Sequence, residues 1–343
     1  MSTPRAAIIG LSGPELLAGE AALLRRLRPL GVILFARNVR DPVQLRALTA
    51  AIRAELGEAA PVLVDQEGGR VARLRPPHWP DFPAPALFEE RDAEAARANA
   101  TLLGLECSAA GFDVVCAPVL DLRLPGRHAV VGDRGFSARP EEVARLGAAW
   151  VAGLQAGGAI PVVKHMPGHG RAMADSHLEL PRVDAPRAAL AEDFAPFAAL
   201  AGNGGGRDIW GMTAHLLYEA LDPERPATLS PRIIRDVIRG EIGFDGVLVS
   251  DDLAMHALTG TPGERAAAAL AAGCDIALHC SGVLAESQDV LEASAPLTDA
   301  ALERLAAARA AMKAAAAAAP ATAQSDVMAA LAARRDALLR DAA

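Results

Sequence analysis

Eight short, continuously apolar runs alternate with Ala-, Leu-, Arg- and Glu-rich segments along this chain, and this alternation strongly limits its possible folds. The runs cover residues 6–11, 31–35, 61–66, 112–121, 161–165, 208–215, 246–252 and 274–280. Short runs that are apolar at every position are typical of strands covered on both faces. The segments between them, such as 42–56, 92–110, 140–155 and 231–239, are long enough to form helices.

The alternation of strands and helices predicts a parallel sheet in an α/β protein. Eight units predict a single closed (β/α)8 barrel over about residues 5–285, with the whole chain, 1–343, forming one domain. An open, doubly wound sheet is the alternative. The Ala-rich segment 297–343 predicts one or two extra helices packed outside the barrel and interrupted at Pro320.

Composition and charge argue against several classes of protein. The chain is 52% hydrophobic and 22% charged, which favours a packed core over disorder. Its net charge of -8 argues against a nucleic-acid-binding protein, which would carry a basic face. The sequence shows neither a membrane-spanning run nor a signal-peptide pattern, and its four cysteines form no C-x-x-C pair. We therefore expect a cytoplasmic protein with reduced, buried thiols that does not bind a membrane.

Polar residues interrupt the apolar runs mainly at their C-terminal ends. They are Asp65, Asp121, Lys164, His165, His215, Ser250, Asp251 and Asp252. In a barrel these ends share one rim, where barrel enzymes carry their catalytic residues. Any one of them could instead cap a helix or form a turn. Because five of the eight runs end in this way, a shared site explains the pattern better.

Three segments on this rim carry candidate functional residues. In segment 64–74, Gly68 and Gly69 either form a structural turn or allow a ligand to approach the backbone. In segment 164–181, Asp175 lies two residues before His177. If this segment is extended, the two side chains can point the same way. A carboxylate beside an imidazole can fix its tautomer and form an acid/base pair.

The third segment, 246–255, ends a buried strand with two adjacent carboxylates, Asp251 and Asp252. A buried charge is costly unless it is hydrogen-bonded or used in chemistry. A helix cap would account for one of the two carboxylates more readily than for both. The pattern by itself does not choose which of them is functional.

The motifs in these segments resemble those of the bacterial N-acetyl-β-glucosaminidases of glycoside hydrolase family 3. The matching pieces, in chain order, are ILFARN (33–38), DQEGGRVARL (65–74), APVLD (117–121), GDRGF (132–136), KHMPGHG (164–170), DSH (175–177), MTAHLLY (212–218) and SDDLAM (250–255). They span about the first 280 residues, and together they are highly specific.

The resemblance implies a retaining glycosidase without an organic cofactor or a metal. It assigns the nucleophile to Asp251 and the acid/base to His177, with Asp175 as the partner of that histidine. It assigns binding of the N-acetylglucosamine (GlcNAc) unit to the following residues: Asp65, Arg73, Arg134, Lys164 and His165. The implied substrate is a small carbohydrate, a GlcNAc–anhydro-muropeptide from peptidoglycan turnover. We expect the enzyme to be a monomer.

The sequence departs from the family pattern at two positions, and three alternative functions remain. Arg171 follows GHG where an acidic residue is common, and Met166 replaces a frequent Phe.

One alternative function is that of a glycoside phosphorylase, because a neutral histidine would not repel phosphate. A second is a metal-dependent hydrolase that uses His165, His169, Asp175 and His177. The third is a sugar-binding protein without catalytic activity.

Overall fold

Eight parallel strands form the centre of the fold in the computed structural model, which describes residues 3–126, 130–173, 180–318 and 324–340. They are β1 (Arg5–Gly10), β2 (Pro29–Leu34), β3 (Val62–Val64), β4 (Val114–Val115), β5 (Ile160–Met166), β7 (Trp210–Thr213), β9 (Val247–Val249) and β10 (Ala277–His279). Each predicted run overlaps one of these strands. Two short strands that the sequence did not predict, β6 (Arg182–Val183) and β8 (Leu217–Tyr218), pair with each other outside the barrel.

The sheet closes into a barrel, as predicted. Its strand order is β10-β1-β2-β3-β4-β5-β7-β9, so β9 and β10 lie at the two ends of the ladder. Val249 forms a parallel bridge with Ile276, and the Ser250 N–H donates to the Ile276 carbonyl at 3.0 Å. These contacts join the two end strands and exclude the open-sheet alternative.

Strand residues alternate between two buried apolar layers, which explains why the runs are apolar at every position. Ile8 and Ile33 belong to the cluster inside the barrel. Ile9 and Val32 belong to the cluster between the strands and the surrounding helices. Because successive side chains on a strand point to opposite faces, a strand covered on both faces shows no polar alternation.

Within the described ranges, seven α-helices surround the strands. They are α1 (Ala18–Leu27), α2 (Pro42–Leu56), α3 (Ala93–Ala110), α4 (Pro140–Ala156), α5 (Arg187–Ala201), α6 (Pro262–Ala272) and α7 (Leu284–Ala293). The start of α2 shows how the sequence sets a boundary. Asp41 accepts hydrogen bonds from the Val43 and Gln44 backbone N–H groups, and proline occupies the first turn. The predicted helix at 231–239 is a π-helix, Ile233–Glu241. The sequence did not predict this type of helix, because the pattern of apolar residues does not distinguish hydrogen-bond spacing.

The Ala-rich C-terminal segment forms two helices, α8 (Asp299–Ala317) and α9 (Gln324–Arg340). Ala301 and Ala308 on α8 join the apolar cluster inside the barrel, so α8 covers the end opposite the functional rim. α9 packs against α3, where Arg335 donates to the side chain of Asn99 at 3.4 Å. The predicted break at Pro320 lies outside the described residues. No helix of the described ranges is long and apolar enough to cross a membrane.

Two aspartates attach α8 to the base of the barrel through Arg304. Its guanidinium contacts Asp275 Oδ1 at 2.9 Å and Asp245 Oδ1 at 2.7 Å. Arg239 contacts the other oxygen of Asp275 at 2.9 Å. The side chain of Asp275 is only 7% exposed, so loss of a partner leaves a nearly buried charge under-compensated.

Replacing Arg304 with leucine should therefore lower the free energy of unfolding by about 2 kcal/mol. Urea denaturation of the wild type and the variant measures the difference. Arg26→Leu is the matched control, because Arg26 forms a single 3.3 Å ion pair with Glu292 in which both side chains are about half exposed. Equal stability losses in the two variants would contradict the role given to Arg304.

Candidate active site

The carboxyl ends of the barrel strands surround a cavity of about 410 Å³, a volume suited to a small ligand. The site residues predicted from the sequence that the structure describes all line this cavity: Asp65, Arg73, Arg134, Lys164, His165 and Asp251. The structure thus brings together side chains from four segments of the chain. The roles of these residues remain predictions.

A buried cluster of two carboxylates and three cations forms one wall of the cavity. Glu67, 1% exposed, accepts hydrogen bonds from Lys164 Nζ at 2.6 Å and from Arg134 at 2.8 and 2.9 Å. Lys164 also donates to Asp65 Oδ1 at 3.1 Å, and Arg73 donates to Asp65 Oδ2 at 3.2 Å. Each carboxylate is therefore shared between two cations, which fixes long side chains that are otherwise flexible.

The cluster keeps its members charged despite burial. Burial tends to raise the pKa of Glu67, but Arg134 and Lys164 overcome this and hold it far below its usual range. Burial likewise tends to lower the pKa of Lys164, but Asp65 and Glu67 raise it. The wall therefore presents fixed N–H donors and carboxylate oxygens, which suit hydrogen bonds to sugar hydroxyl groups.

The glycine pair after Asp65 and Glu67 forms a structural turn. Gly68 and Gly69 have φ angles of 94° and 55°, in the left-handed region that favours glycine. A Cβ atom on Gly68 would lie 2.5 Å from the Pro83 carbonyl oxygen, and one on Gly69 would lie 2.7 Å from the Ala84 Cβ. The two glycines therefore lie against Pro83 and Ala84 of the same chain. This contact favours the structural turn over close approach of a ligand.

Asp121 orients the beginning of segment 164–181, which we call the histidine loop. One of its oxygens accepts from the backbone N–H groups of His165 and His169 at 3.1 and 2.6 Å. The other lies 2.7 Å from His165 Nδ1. Because the charged carboxylate accepts hydrogen bonds, Nδ1 of His165 carries the hydrogen and Nε2 is left for the cavity. Burial lowers the pKa of His169 to about 4, so this ring is neutral near pH 7.

Asp251 follows β9 and presents an ionised carboxylate to the cavity. Burial tends to raise its pKa, but His165, His215, the Asp252 backbone N–H and Lys164 together lower it to about 2. Its Oδ1 accepts from the Asp252 N–H at 2.8 Å. Within the described part of the chain, Oδ2 has no hydrogen-bond partner and is available to a ligand.

Asp252 has a different local role. Its Oδ1 accepts from the Ala254 N–H and the Cys280 N–H, both at 2.9 Å. It thereby joins the loop after β9 to the end of β10. The sequence pattern left Asp251 and Asp252 equivalent. Both line the cavity, but Asp252 joins two strand ends through its Oδ1, whereas Asp251 Oδ1 accepts only from the adjacent Asp252 N–H.

Comparison with known proteins identifies the family. The glycosyl hydrolase family 3 N-terminal domain matches residues 16–312. This chain belongs to glycosyl hydrolase family 3. It is therefore a glycoside hydrolase, and the resemblance read from its motifs is confirmed.

Relatives of this glycoside hydrolase share most of its length. The beta-hexosaminidase of Alkalilimnicola ehrlichii is 46% identical over 284 residues, which cover 80% of each chain. That of Pseudomonas aeruginosa (strain LESB58) is 42% identical over 303 residues, which cover 87% of this chain and 86% of the relative. NagZ from Neisseria gonorrhoeae, solved in complex with N-trifluoroacetyl-D-glucosamine, has a TM-score of 0.84 at 31% identity over 98% of each chain.

The predicted acid/base pair, Asp175 and His177, lies outside the described residues. The base of the same loop is described at Arg171, which donates to Glu192 Oε2 at 2.7 Å and contacts Asp193 on α5. The unusual Arg171 thus attaches the glycoside hydrolase's histidine loop to a neighbouring helix. Met166, the other departure, is fully buried at the end of β5.

Two of the four residues in the metal-site alternative, His165 and His169, are described. Within the described ranges, no three His, Cys, Asp or Glu side chains group as they would around a metal ion. All four cysteines are free and buried, as predicted.

Two residues of the site were absent from the predicted set, Glu67 and Asp121. Asp121 was among the polar residues that end the apolar runs, whereas Glu67, three residues after β3, was not. Their importance depends on contacts across the barrel, between Glu67 and Arg134 and between Asp121 and His165. Sequence spacing does not reveal such contacts, so only the folded chain shows them.

Proposed function

We propose that this glycoside hydrolase is a retaining β-N-acetylhexosaminidase that removes terminal, non-reducing GlcNAc. The observation that carries the proposal is the ionised Asp251 carboxylate in the same cavity as the Asp65–Lys164–Arg134 wall. The names of its relatives, two beta-hexosaminidases and a NagZ bound to an N-acylglucosamine analogue, support the choice of sugar.

In the proposed first step, Asp251 attacks the anomeric carbon of the sugar. A bond forms between the carboxylate oxygen and that carbon, the glycosidic bond breaks, and the leaving oxygen takes a proton from an acid. In the second step a water molecule loses a proton to the same residue, now a base, and displaces Asp251. Two inversions give net retention, and no cofactor is required.

His177, supported by Asp175, is the proposed acid and base. The usual partner of a carboxylate nucleophile is a second carboxylic acid. An imidazole with an ordinary pKa of about 6.5 can exchange a proton near neutral pH. This part of the proposal rests on the DSH motif and the family resemblance.

The wall of the cavity would hold the sugar ring. Asp65 can accept hydrogen bonds from neighbouring hydroxyl groups, while Arg73, Arg134 and Lys164 donate. His165 can contribute its Nε2. Rigid positioning of this kind converts binding energy into a reactive orientation.

The proposal also covers the natural substrate, the cellular location and the oligomeric state. We propose that the natural substrate is a GlcNAc–anhydro-muropeptide from peptidoglycan turnover and that the enzyme acts as a cytoplasmic monomer. The support is the family resemblance read from the motifs.

Release of nitrophenol from 4-nitrophenyl β-N-acetylglucosaminide tests the proposed activity. We expect turnover in phosphate-free buffer that is unaffected by a chelator, and little turnover of the matched β-glucoside, which lacks the N-acetyl group. A rate that depends on phosphate would favour the phosphorylase, and loss of activity with chelator would favour a metal-dependent hydrolase. Sugar binding without turnover would favour a binding protein.

The pH dependence of kcat/KM tests the charge state of Asp251, because this ratio reports ionisations of the free enzyme. The nucleophile must be ionised, and its lowered pKa, about 2, keeps it so above that pH. We therefore expect no acidic limb with a midpoint near 4, the ordinary aspartate range. Circular dichroism at each pH separates loss of activity from unfolding. A limb near pH 4 in folded protein that persists in His169→Gln, which lacks the ring whose pKa is about 4, would contradict the assignment.

A further inference from the structure

Three fully buried polar side chains lie behind the cavity wall that carries Asp251. Thr213 ends β7, His215 follows two residues later, and Thr228 lies in a short 3₁₀ helix, Ala227–Leu229. All three are 0% exposed. None of them lines the cavity, so they are not placed to contact the sugar.

These side chains form a chain of hydrogen bonds that begins and ends on the backbone around Asp251. The Asp251 N–H donates to Thr213 Oγ1 at 3.3 Å, and Thr213 Oγ1 lies 2.7 Å from Thr228 Oγ1. Thr228 Oγ1 lies 2.8 Å from His215 Nδ1, and His215 Nε2 lies 2.9 Å from the Asp252 carbonyl oxygen. These hydrogen bonds thus hold the backbone on both sides of the Asp251 side chain, at the Asp251 N–H and at the Asp252 carbonyl one residue further on.

The direction of each hydrogen bond follows from the groups at its ends. A carbonyl only accepts, so His215 Nε2 carries a hydrogen and donates to Asp252. Burial lowers the pKa of His215, although the negative charge of Asp251 tends to raise it. The ring is therefore neutral, and its Nδ1 only accepts. Thr228 then donates to Nδ1 and Thr213 donates to Thr228. The Ala214 carbonyl, at 3.1 Å from Thr228 Oγ1, is a longer alternative acceptor.

We propose that Thr213, Thr228 and His215 are positioning residues for the nucleophile, which they hold through its backbone. This inference rests on the proposed role of Asp251. The Asp252 N–H lies between the two backbone groups that these hydrogen bonds hold, and it fixes Asp251 Oδ1, so a shift of this backbone moves the whole carboxylate. Misplacing a reacting group by about 1 Å can lower the rate by about 10²-fold.

The pair Thr228→Val and Thr228→Ser tests the inference. Valine has nearly the shape of threonine but cannot donate to His215, whereas serine keeps the hydroxyl group. We expect Thr228→Val to lower kcat by about 10²-fold while the dissociation constant of GlcNAc, the product used as a probe, changes little. Thr228→Ser should recover most of the lost rate. If both variants fall equally, or if both keep the wild-type kcat, the inference is wrong.

Thr213→Val and Thr213→Ser provide a second test from the Asp251 end of the chain, and this pair decides if Thr228→Val does not fold. The thermal unfolding midpoint of each variant separates a loss of fold from a loss of kcat. Asp251→Ala distinguishes this inference from the proposed function. If Asp251→Ala keeps its activity, the proposed function is wrong. If Asp251→Ala loses its activity while Thr213→Val and Thr228→Val keep the wild-type kcat, only the positioning role is wrong.

Discussion

Replacing Asp251 with alanine should lower kcat/KM for an aryl β-N-acetylglucosaminide by on the order of 10⁴–10⁶-fold, as loss of a nucleophile does in other covalent enzymes. The carboxylate is ionised, and its Oδ2 is free of hydrogen bonds to described residues, as attack on a substrate requires. Initial rates of nitrophenol release measure the loss.

Azide should restore part of this activity. A small anion can enter the space left by the carboxylate and attack the anomeric carbon from the same side. Because only one displacement then occurs, the product should be the α-glycosyl azide, with inverted configuration. The configuration can be read from the anomeric proton coupling in the NMR spectrum. A β-azide, or no rescue together with a small loss of rate, would mean that Asp251 is not the nucleophile.

Asp252→Asn is the matched control for this variant. Asp252 carries the same functional group one residue away, but its Oδ1 accepts hydrogen bonds from the Ala254 and Cys280 N–H groups. Asparagine can keep these bonds through its carbonyl oxygen. We therefore expect a much smaller loss of kcat/KM than in Asp251→Ala, and no response to azide.

Replacing Glu67 with glutamine should lower the free energy of unfolding by about 3–5 kcal/mol, the usual cost of removing one partner from a buried ion pair. Lys164 and Arg134 would remain, nearly buried, with one carboxylate fewer to balance them. The long cationic side chains would also lose their anchor, so KM should rise. Urea denaturation and steady-state kinetics measure the two effects.

Asp133→Asn is the control for Glu67→Gln. Asp133 pairs with Arg70 at 2.8 Å on the same side of the barrel, but both side chains are 48% exposed. Exposed pairs contribute about 1 kcal/mol or less, so this variant should unfold nearly as the wild type does. If Glu67→Gln were equally well tolerated, the buried cluster would not have the structural role that its geometry indicates.

Much of the fold was predictable because its signals are local. The continuous apolar runs correspond to strands covered on both faces, and helices α2, α3 and α4 begin and end within one residue of the predicted limits. The polar residues at the run ends predicted a shared rim, and six of these eight, all except His215 and Ser250, line one cavity. The two-residue strands β6 and β8 were missed because they are too short to leave a periodic pattern, and the helix predicted at 231–239 was not recognised as the π-helix Ile233–Glu241.

The sequence by itself therefore determined the barrel, its functional rim and, through its motifs, the family and the set of sugar-binding candidates. The tertiary structure alone decided how Asp251 differs from Asp252, and that Glu67 and Asp121 organise the site. The physical reason is distance along the chain. Lys164 and Asp65 are 99 residues apart and meet only because the closed barrel brings their strand ends together. Hydrogen bonds and charge balance of this kind depend on atomic positions that the local sequence pattern does not determine.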